Sequence, residues 1–161
     1  MRLALYQPDI PPNVGTMLRL GACLGVPVDI IEPCGFPFGA RDLKRAVMDY
    51  AAAVDVTRHI SWQEFNANRL PNRLILLTTR SRTAYTDFTF SDSDILLLGR
   101  ESAGVPDSVH NVADHRLCIP MVTNMRSINV ALSAAMVLGE ALRQTGHFST
   151  SHPSVEPTEQ P

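Results

Sequence analysis

Short runs of apolar residues alternate along the chain with longer segments whose apolar positions recur every three or four residues. The first pattern is typical of buried β-strands, and the second is typical of amphipathic helices. The apolar runs predict strands at 3–6, 28–31, 54–56, 73–79, 95–98 and 117–120. The periodic segments predict helices at 13–25, 41–50, from 61 onward, 106–113 and 128–144. This alternation predicts an α/β domain with a mostly parallel sheet and helices on both of its faces.

Local signals set the ends of several predicted helices. Asn13 is expected to be the N-cap of the first helix, which should end near Gly25. Ser61, followed by Glu64 at the third helical position, is a capping-box pattern. Ser127 is expected to cap the last helix, with Asn129 in the first turn.

The length and composition are those of one soluble domain. The chain has 161 residues, of which 45% are hydrophobic and 19% charged. No apolar run reaches the roughly 20 residues of a membrane span, and the N-terminus lacks the features of a signal peptide. Residues 1–146 are therefore expected to form the domain. Residues 147–161 are rich in Ser, Thr, Pro and Glu and are expected to be a disordered tail.

The cysteines indicate the cellular compartment of the protein, and the net charge limits the kind of partner that it can bind. Cys23, Cys34 and Cys118 form no CxxC pair and have no metal-ligand spacing to histidine, which predicts reduced thiols, no metal site and a cytoplasmic protein. The net charge is −2, so a nucleic-acid surface would have to be a local patch.

Three segments that follow predicted strands are rich in Gly, Pro, Asn and Arg, and ligands bind at such places in parallel sheets. The segments are 7–19, 98–104 and 119–129. Taken singly, each also fits a purely structural interpretation. Asn13 and Ser127 suit helix caps, the glycines around Glu101 suit a turn, and Arg19 suits a solvated surface.

Taken together, the three segments indicate a protein family more specifically than any one of them does. The order Pro-Pro-Asn-x-Gly…Arg, Leu-Gly-x-Glu-x-x-Gly-x-Pro and Ile-Pro-Met…Arg-Ser-x-Asn resembles the SPOUT superfamily of RNA methyltransferases. The phrases at 31–33, 49–50, 56–59 and 77–79 are similar to those of short tRNA (cytidine/uridine) 2′-O-methyltransferases that modify the wobble nucleotide. The resemblance covers residues 3–146. Arg100 departs from the proline usual in those enzymes, and the residues at 123–125 also differ from the usual pattern.

The resemblance implies an α/β fold with a C-terminal trefoil knot, S-adenosylmethionine as cofactor, no metal, and a homodimer that binds tRNA across its subunits. It implies a functional set of Asn13, Arg19, Glu101, Ser127 and Asn129. It also implies a set of cofactor-binding residues, which comprises Leu77, Thr78, Gly99, Gly104, Ile119, Met121 and Ser127.

Within that resemblance, Arg19 is expected at the ribose 2′-oxygen, as base or as stabiliser of the developing oxyanion. Basic residues around the cleft are expected to bind RNA, namely Arg41, Lys44, Arg45, Arg58, Arg80 and Arg126. Small residues in the last helix, such as Ala131 and Ala134, favour a close helix contact in a homodimer. The alternatives are 2′-O-methylation at another tRNA or rRNA position, and a nucleotide- or RNA-binding module without catalysis.

Overall fold

The structure, a computed structural model, describes residues 1–37 and 55–148. In this part the strands are β1 (Arg2–Tyr6), β2 (Val28–Ile31), β3 (Val56–His59), β4 (Leu74–Leu77), β5 (Ile95–Leu98) and β6 (His115–Leu117). The helices are α1 (Pro11–Leu24), α2 (Trp62–Asn68), α3 (Asp107–Val112) and α4 (Val130–Thr145), with a 3₁₀ turn at Tyr85–Asp87.

The six strands form one sheet in the order β3-β2-β1-β5-β4-β6, and every pair of neighbours is parallel. Leu5 lies opposite Ile30 on one side and opposite Leu98 on the other. The carboxyl ends of all six strands therefore share one edge of the sheet. The predicted parallel sheet is confirmed.

Two apolar clusters cover the two faces of the sheet. Leu3 and Leu5 project into the cluster that also contains buried residues of α1 and α4. Ala4 and Tyr6 project to the other face, where Phe65 of α2 and Val109 of α3 pack. Successive residues of a strand point to opposite faces, so the uniformly apolar β1 requires helices on both. The predicted layering is confirmed.

Some helix ends lie where the sequence predicts them. Gly25 ends α1 with a φ of +64°, a left-handed conformation that glycine adopts without strain. Ser61 caps α2, because its side chain accepts a hydrogen bond from the Glu64 amide. Both predictions are confirmed.

The predicted caps of α1 and α4 are wrong. Helix α1 begins at Pro11, with Ile10 as the N-cap, because proline at the first helical position has its φ already set and needs no hydrogen bond for a missing N–H. Asn13 therefore lies inside the first turn. Asn129, and not Ser127, caps α4, since its side chain accepts hydrogen bonds from the amides of Ala131 and Leu132.

Two strands are displaced from their predicted positions. Strand β3 is Val56–His59 instead of 54–56, of which residue 54 lies outside the described residues. Strand β6 is His115–Leu117 instead of 117–120, because β6 follows the register of β4 and ends opposite Leu77. Beyond it, the Cys118 amide donates to the Thr83 carbonyl, so the chain pairs with the 83–84 segment there.

Three further predictions are not tested by this structure. The helix at 41–50 and most of the tail at 147–161 lie outside the described residues. The trefoil knot remains a prediction from the resemblance. No helix in the described ranges is long and apolar enough to cross a membrane.

Candidate active site

A cavity of about 420 Å³ opens at the carboxyl ends of β4, β5 and β6. Its wall contains all seven predicted cofactor-binding residues, Leu77, Thr78, Gly99, Gly104, Ile119, Met121 and Ser127. It also contains Asn13, Glu101 and Asn129 of the predicted functional set. Segments that are far apart in the sequence therefore meet at one place.

The position of the cavity follows from the topology of the sheet. Strands β1 and β5 are neighbours, but α1 leaves β1 over one face and α3 follows β5 over the other. The two connections diverge, which leaves a crevice beyond the carboxyl ends of the strands. Ligands of open α/β sheets bind in such crevices.

The loop between Gly99 and Gly104 forms one wall of the cavity. Arg100 and Gly104 exchange two backbone hydrogen bonds, at 3.0 and 2.9 Å, which close the loop into a turn. Gly104 has a φ of +65°. A Cβ at Gly99 would lie 2.7 Å from the carbonyl carbon of Gly104, closer than real side chains approach backbone. Both glycines are therefore required by the geometry of the turn.

A series of side-chain hydrogen bonds links the three motifs. The Asn129 amide Nδ2 donates to Asn13 Oδ1 at 3.1 Å, and Asn13 Nδ2 donates to Glu101 Oε1 at 2.8 Å. The second oxygen of Glu101 accepts from the backbone amide of Asp9 at 3.3 Å. The Glu101 amide in turn donates to Asp9 Oδ1 at 3.2 Å. This Asn129–Asn13–Glu101–Asp9 series holds α4, α1 and the Gly99–Gly104 loop together.

The two carboxyl groups of the series have displaced pKa values. The side-chain contact with Glu101 is the main cause that lowers the pKa of Asp9 to about 2, and the Ser102 hydroxyl, which donates to Asp9, adds to it. Burial raises the pKa of Glu101, and the neighbouring Asp9 adds to this rise, while the Asn13 amide opposes it. Asp9 therefore carries the negative charge first. Glu101 is the more basic of the two and belongs to the lining of the cavity.

We expect the lowered pKa of Asp9 to depend on its contact with Glu101. The pKa of Asp9, about 2, lies below its ordinary value of 3.8, and the Glu101 contact is the largest cause. Removing that side chain in Glu101→Ala should therefore move the pKa of Asp9 upward, toward its ordinary value. NMR titration of the Asp9 carboxyl carbon in wild type and in the variant measures the change. An equal Asp9 pKa in both proteins would contradict the assignment.

Arg19 is placed apart from the rest of the predicted functional set. It is exposed on α1, six residues beyond Asn13, and it is not among the residues that line the cavity. Ser127 does line the cavity, with its side chain exposed at the mouth. The resemblance implies these five residues as one set, and four of them line the cavity.

Three of the six predicted RNA-binding residues are described by the structure, and they lie in or after strands on the side of their carboxyl ends. Arg58 at the end of β3 is paired with Glu32, and Arg80 beyond β4 is paired with Asp107 at 2.8 Å. Arg126 is exposed in the loop between β6 and α4. The remaining three, Arg41, Lys44 and Arg45, lie outside the described residues.

The sequence analysis included Gln7 and Asp9 in the candidate segment 7–19 but did not single them out as site residues. Both follow β1, and Gln7 has a φ of +44°, which is unusual for a residue with a side chain. The topology alone could have flagged them, because β1 is the partner of β5 at the centre of the sheet. Among the described residues, no group of three or more His, Cys, Asp or Glu side chains could hold a metal ion.

Among protein-family models, the one described as "SpoU rRNA Methylase family" matches residues 1–139 of the chain. The chain belongs to the SpoU rRNA methylase family. The family resemblance inferred from the three motifs is thereby confirmed, and the cavity described above lies within the matched residues.

Curated proteins with similar sequences match nearly the whole chain. The tRNA (cytidine(34)-2'-O)-methyltransferase of Beijerinckia indica is 60% identical over 146 residues, which are 89% of this SpoU-family chain and 91% of the relative. The protein of the same name from Escherichia coli strain K12 is 38% identical and covers 91% of this chain and 95% of its own length.

Solved structures share the SpoU-family fold. A structure concerned with the 2-OH methylation of C/U34 on tRNA superimposes with a TM-score of 0.85 at 38% identity, over 89% of this chain and 94% of that one. The SpoU methyltransferase AviRb from Streptomyces viridochromogenes, in complex with the cofactor AdoMet, gives a TM-score of 0.78 at 25% identity. That comparison covers 89% of this chain and 60% of AviRb.

Proposed function

We propose that this chain is an S-adenosylmethionine-dependent methyltransferase that modifies the 2′-hydroxyl of the ribose at the tRNA wobble nucleotide, cytidine or uridine 34. The observation that carries the proposal is the Asn129–Asn13–Glu101–Asp9 series, which joins three distant motifs at one cavity. The names of curated relatives at 60% and 38% identity support this substrate and reaction.

The residues of the cavity fit S-adenosylmethionine. A volume of about 420 Å³ lies within the usual range for small-molecule sites. The absence of a Cβ at Gly99 keeps the loop backbone compact beside apolar Leu77, Ile119 and Met121. The complex of the family member AviRb with AdoMet supports the same cofactor. When bound, it supplies a methyl group already activated on a sulfonium.

The substrate side of the site must align the ribose hydroxyl and remove its proton. Glu101 is the proton acceptor in this proposal, because burial raises its pKa and the residue lines the cavity. Asn13 fixes one oxygen of Glu101, and Asn129 fixes Asn13. Ser127, an exposed residue of the cavity lining, would contact the ligand.

In this proposal Arg19 contacts the ribose oxygen, and its positive charge stabilises the developing oxyanion. Since Arg19 does not line the cavity, it would meet the ribose at the mouth or from a second copy of the chain. The tRNA backbone would lie along the edge that carries Arg58, Arg80 and Arg126. Arg41, Lys44 and Arg45 are proposed to bind RNA as well, from the resemblance alone. The cytoplasm, where reduced thiols persist, is the proposed compartment.

The homodimer is part of the proposal, but the residues that support it differ from those first inferred. Ala131 and Ala134 are buried within the chain, so they pack α4 onto its own core. The outer face of α4 instead exposes Leu132 by 59% and Met136 by 41%. Large apolar residues exposed together on a helix are typical of an interface.

We expect light scattering to give twice the 17.7 kDa mass of the chain. The double variant Leu132→Glu/Met136→Glu should shift the mass to that of one chain, because charges cannot be buried cheaply at an interface. Ile60→Glu, a change at an apolar residue 80% exposed elsewhere, is the control and should remain dimeric. A wild-type mass near 17.7 kDa would contradict the dimer.

Labelled S-adenosylmethionine and total tRNA provide the test of the function. Nucleoside mapping of the product should place the label on the 2′-oxygen of nucleotide 34. Label at another tRNA position, or in rRNA only, would support the alternative substrates and overturn this one. Cofactor binding without transfer to any RNA would indicate a binding module.

A further inference from the structure

Arg100 is a cationic side chain held in the wall of the cavity. Its backbone is fixed by the two hydrogen bonds with Gly104. Its Nη2 donates to Oε1 of Gln7, while its Nε is buried and has no hydrogen-bond partner in the described part of the chain. The hydrogen bond to Gln7 therefore holds the guanidinium group in place, while its Nε–H has no acceptor among the described residues.

Arg100 also forms no ion pair with any residue that the structure describes. Between residues 1–37 and 55–148, six arginines form ion pairs with carboxylates, Arg2, Arg58, Arg69, Arg73, Arg80 and Arg143. None of those pairs includes Arg100, although its chain neighbour is Glu101. A half-buried guanidinium without an anion is unfavourable, so the arrangement favours an anion supplied by a ligand.

Gln7 is the residue that holds Arg100 in this position. Its φ of +44° is a strained conformation for a residue with a side chain, and such strain concentrates at functional sites. The Gln7 amide donates to the Ile31 carbonyl, and its side-chain Nε2 donates to the Glu32 carbonyl at 3.4 Å. The side chain thus spans from β2 to the Gly99–Gly104 loop and presents its oxygen to Arg100.

The location of Arg100 indicates which anion it binds. Its contact with Gln7 lies at the β1 side of the cavity, where Asn13 and Glu101 also meet, whereas the apolar Leu77, Ile119 and Met121 follow β4 and β6. We infer that Arg100 binds a phosphate of the RNA backbone beside the ribose to be methylated, and that Gln7 is its positioning residue. The inference rests on the proposed function for the identity of that RNA.

The test compares wild type with Arg100→Gln in filter binding of bulk tRNA between about 50 and 200 mM salt. Each phosphate contact contributes about 0.7 to 0.9 to the slope of log affinity against log salt concentration, so the variant should lose about that much. Its tRNA affinity should fall about tenfold at low salt, with S-adenosylmethionine affinity changed less than about twofold. Arg143→Gln, the same charge change in the last turn of α4, should keep the wild-type slope.

Gln7→Gly tests the positioning role, because glycine removes the side chain and also relieves the positive φ. It should weaken tRNA binding severalfold in the wild-type background and add nothing in the Arg100→Gln background. Equal effects of Gln7→Gly in both backgrounds would overturn the positioning role.

Three outcomes would overturn the Arg100 assignment. If the slope of log affinity against log salt concentration is the same in Arg100→Gln as in wild type, Arg100 makes no phosphate contact. Loss of S-adenosylmethionine affinity with unchanged tRNA binding would assign Arg100 to the cofactor carboxylate, and a wild type that binds no RNA would overturn both proposals. A wild type that transfers no methyl to nucleotide 34, combined with loss of slope in Arg100→Gln, would overturn only the proposed substrate.

Discussion

Arg19→Ala should lower the rate of methyl transfer on the order of a hundredfold or more while leaving the fold and cofactor affinity nearly unchanged. The reason is that a charge-assisted contact to the ribose oxygen strengthens as the oxyanion develops, so its loss acts on the transition state. Arg19 lies outside the cavity wall, which predicts the intact cofactor affinity. Single-turnover methylation and calorimetric titration of S-adenosylmethionine on the same variant measure the two effects separately.

Two controls make the Arg19 result specific. Arg19→Lys should restore little activity, because an ammonium does not reproduce the planar guanidinium. Arg143→Ala, at another exposed arginine, should behave as wild type. Near-normal turnover in Arg19→Ala would show that Arg19 is an ordinary surface charge, and lost cofactor affinity would place it on the cofactor side of the site.

Gly99→Ala should reduce the affinity for S-adenosylmethionine by roughly tenfold to a hundredfold. The added Cβ would lie 2.7 Å from the carbonyl carbon and 2.8 Å from the Cα of Gly104, and these are backbone atoms that cannot rotate away. The turn must therefore shift, and with it the cavity wall. Calorimetric titration measures the affinity, and a thermal unfolding scan reports the accompanying loss of stability.

Gly139→Ala is the matched control for Gly99→Ala. A Cβ at Gly139 would meet no atom within 4 Å, and alanine is the better residue in the middle of α4. This variant should bind S-adenosylmethionine as wild type does and should unfold at the same or a slightly higher temperature. If Gly99→Ala binds the cofactor as well as Gly139→Ala does, the Gly99–Gly104 loop does not shape the cofactor site.

The site combines two kinds of residue that respond differently to substitution. Backbone-defined positions such as Gly99 and Gly104 shape the cavity, so changes there should act on cofactor affinity. Charged positions such as Arg19, Arg100 and Glu101 should act on RNA binding and on the rate. Measuring both affinities and the single-turnover rate for each variant therefore separates the cofactor side of the site from the substrate side.

The amino-acid sequence by itself determined the layers of the fold and the composition of the cavity wall. A uniformly apolar run such as 95–98 is typical of a strand buried on both faces, and parallel strands bring the segments that follow them to one edge. The family resemblance carried by the three motifs then implies Gly99, Glu101, Ile119 and Asn129 as site residues, and all four line the cavity.

Only the tertiary structure decided what individual polar side chains do. Helix-capping preferences predict Asn13 as an N-cap. In the structure its side chain instead bonds to Glu101 and Asn129, which are 88 and 116 residues away in the chain. The same holds for Asp9, whose lowered pKa depends on Glu101, 92 residues away. Periodicity and capping preferences describe contacts within a few turns, whereas hydrogen bonds and charges respond to whatever the fold brings near. Likewise, only the assembled fold shows that Arg100 Nε is buried without a hydrogen-bond partner among the described residues.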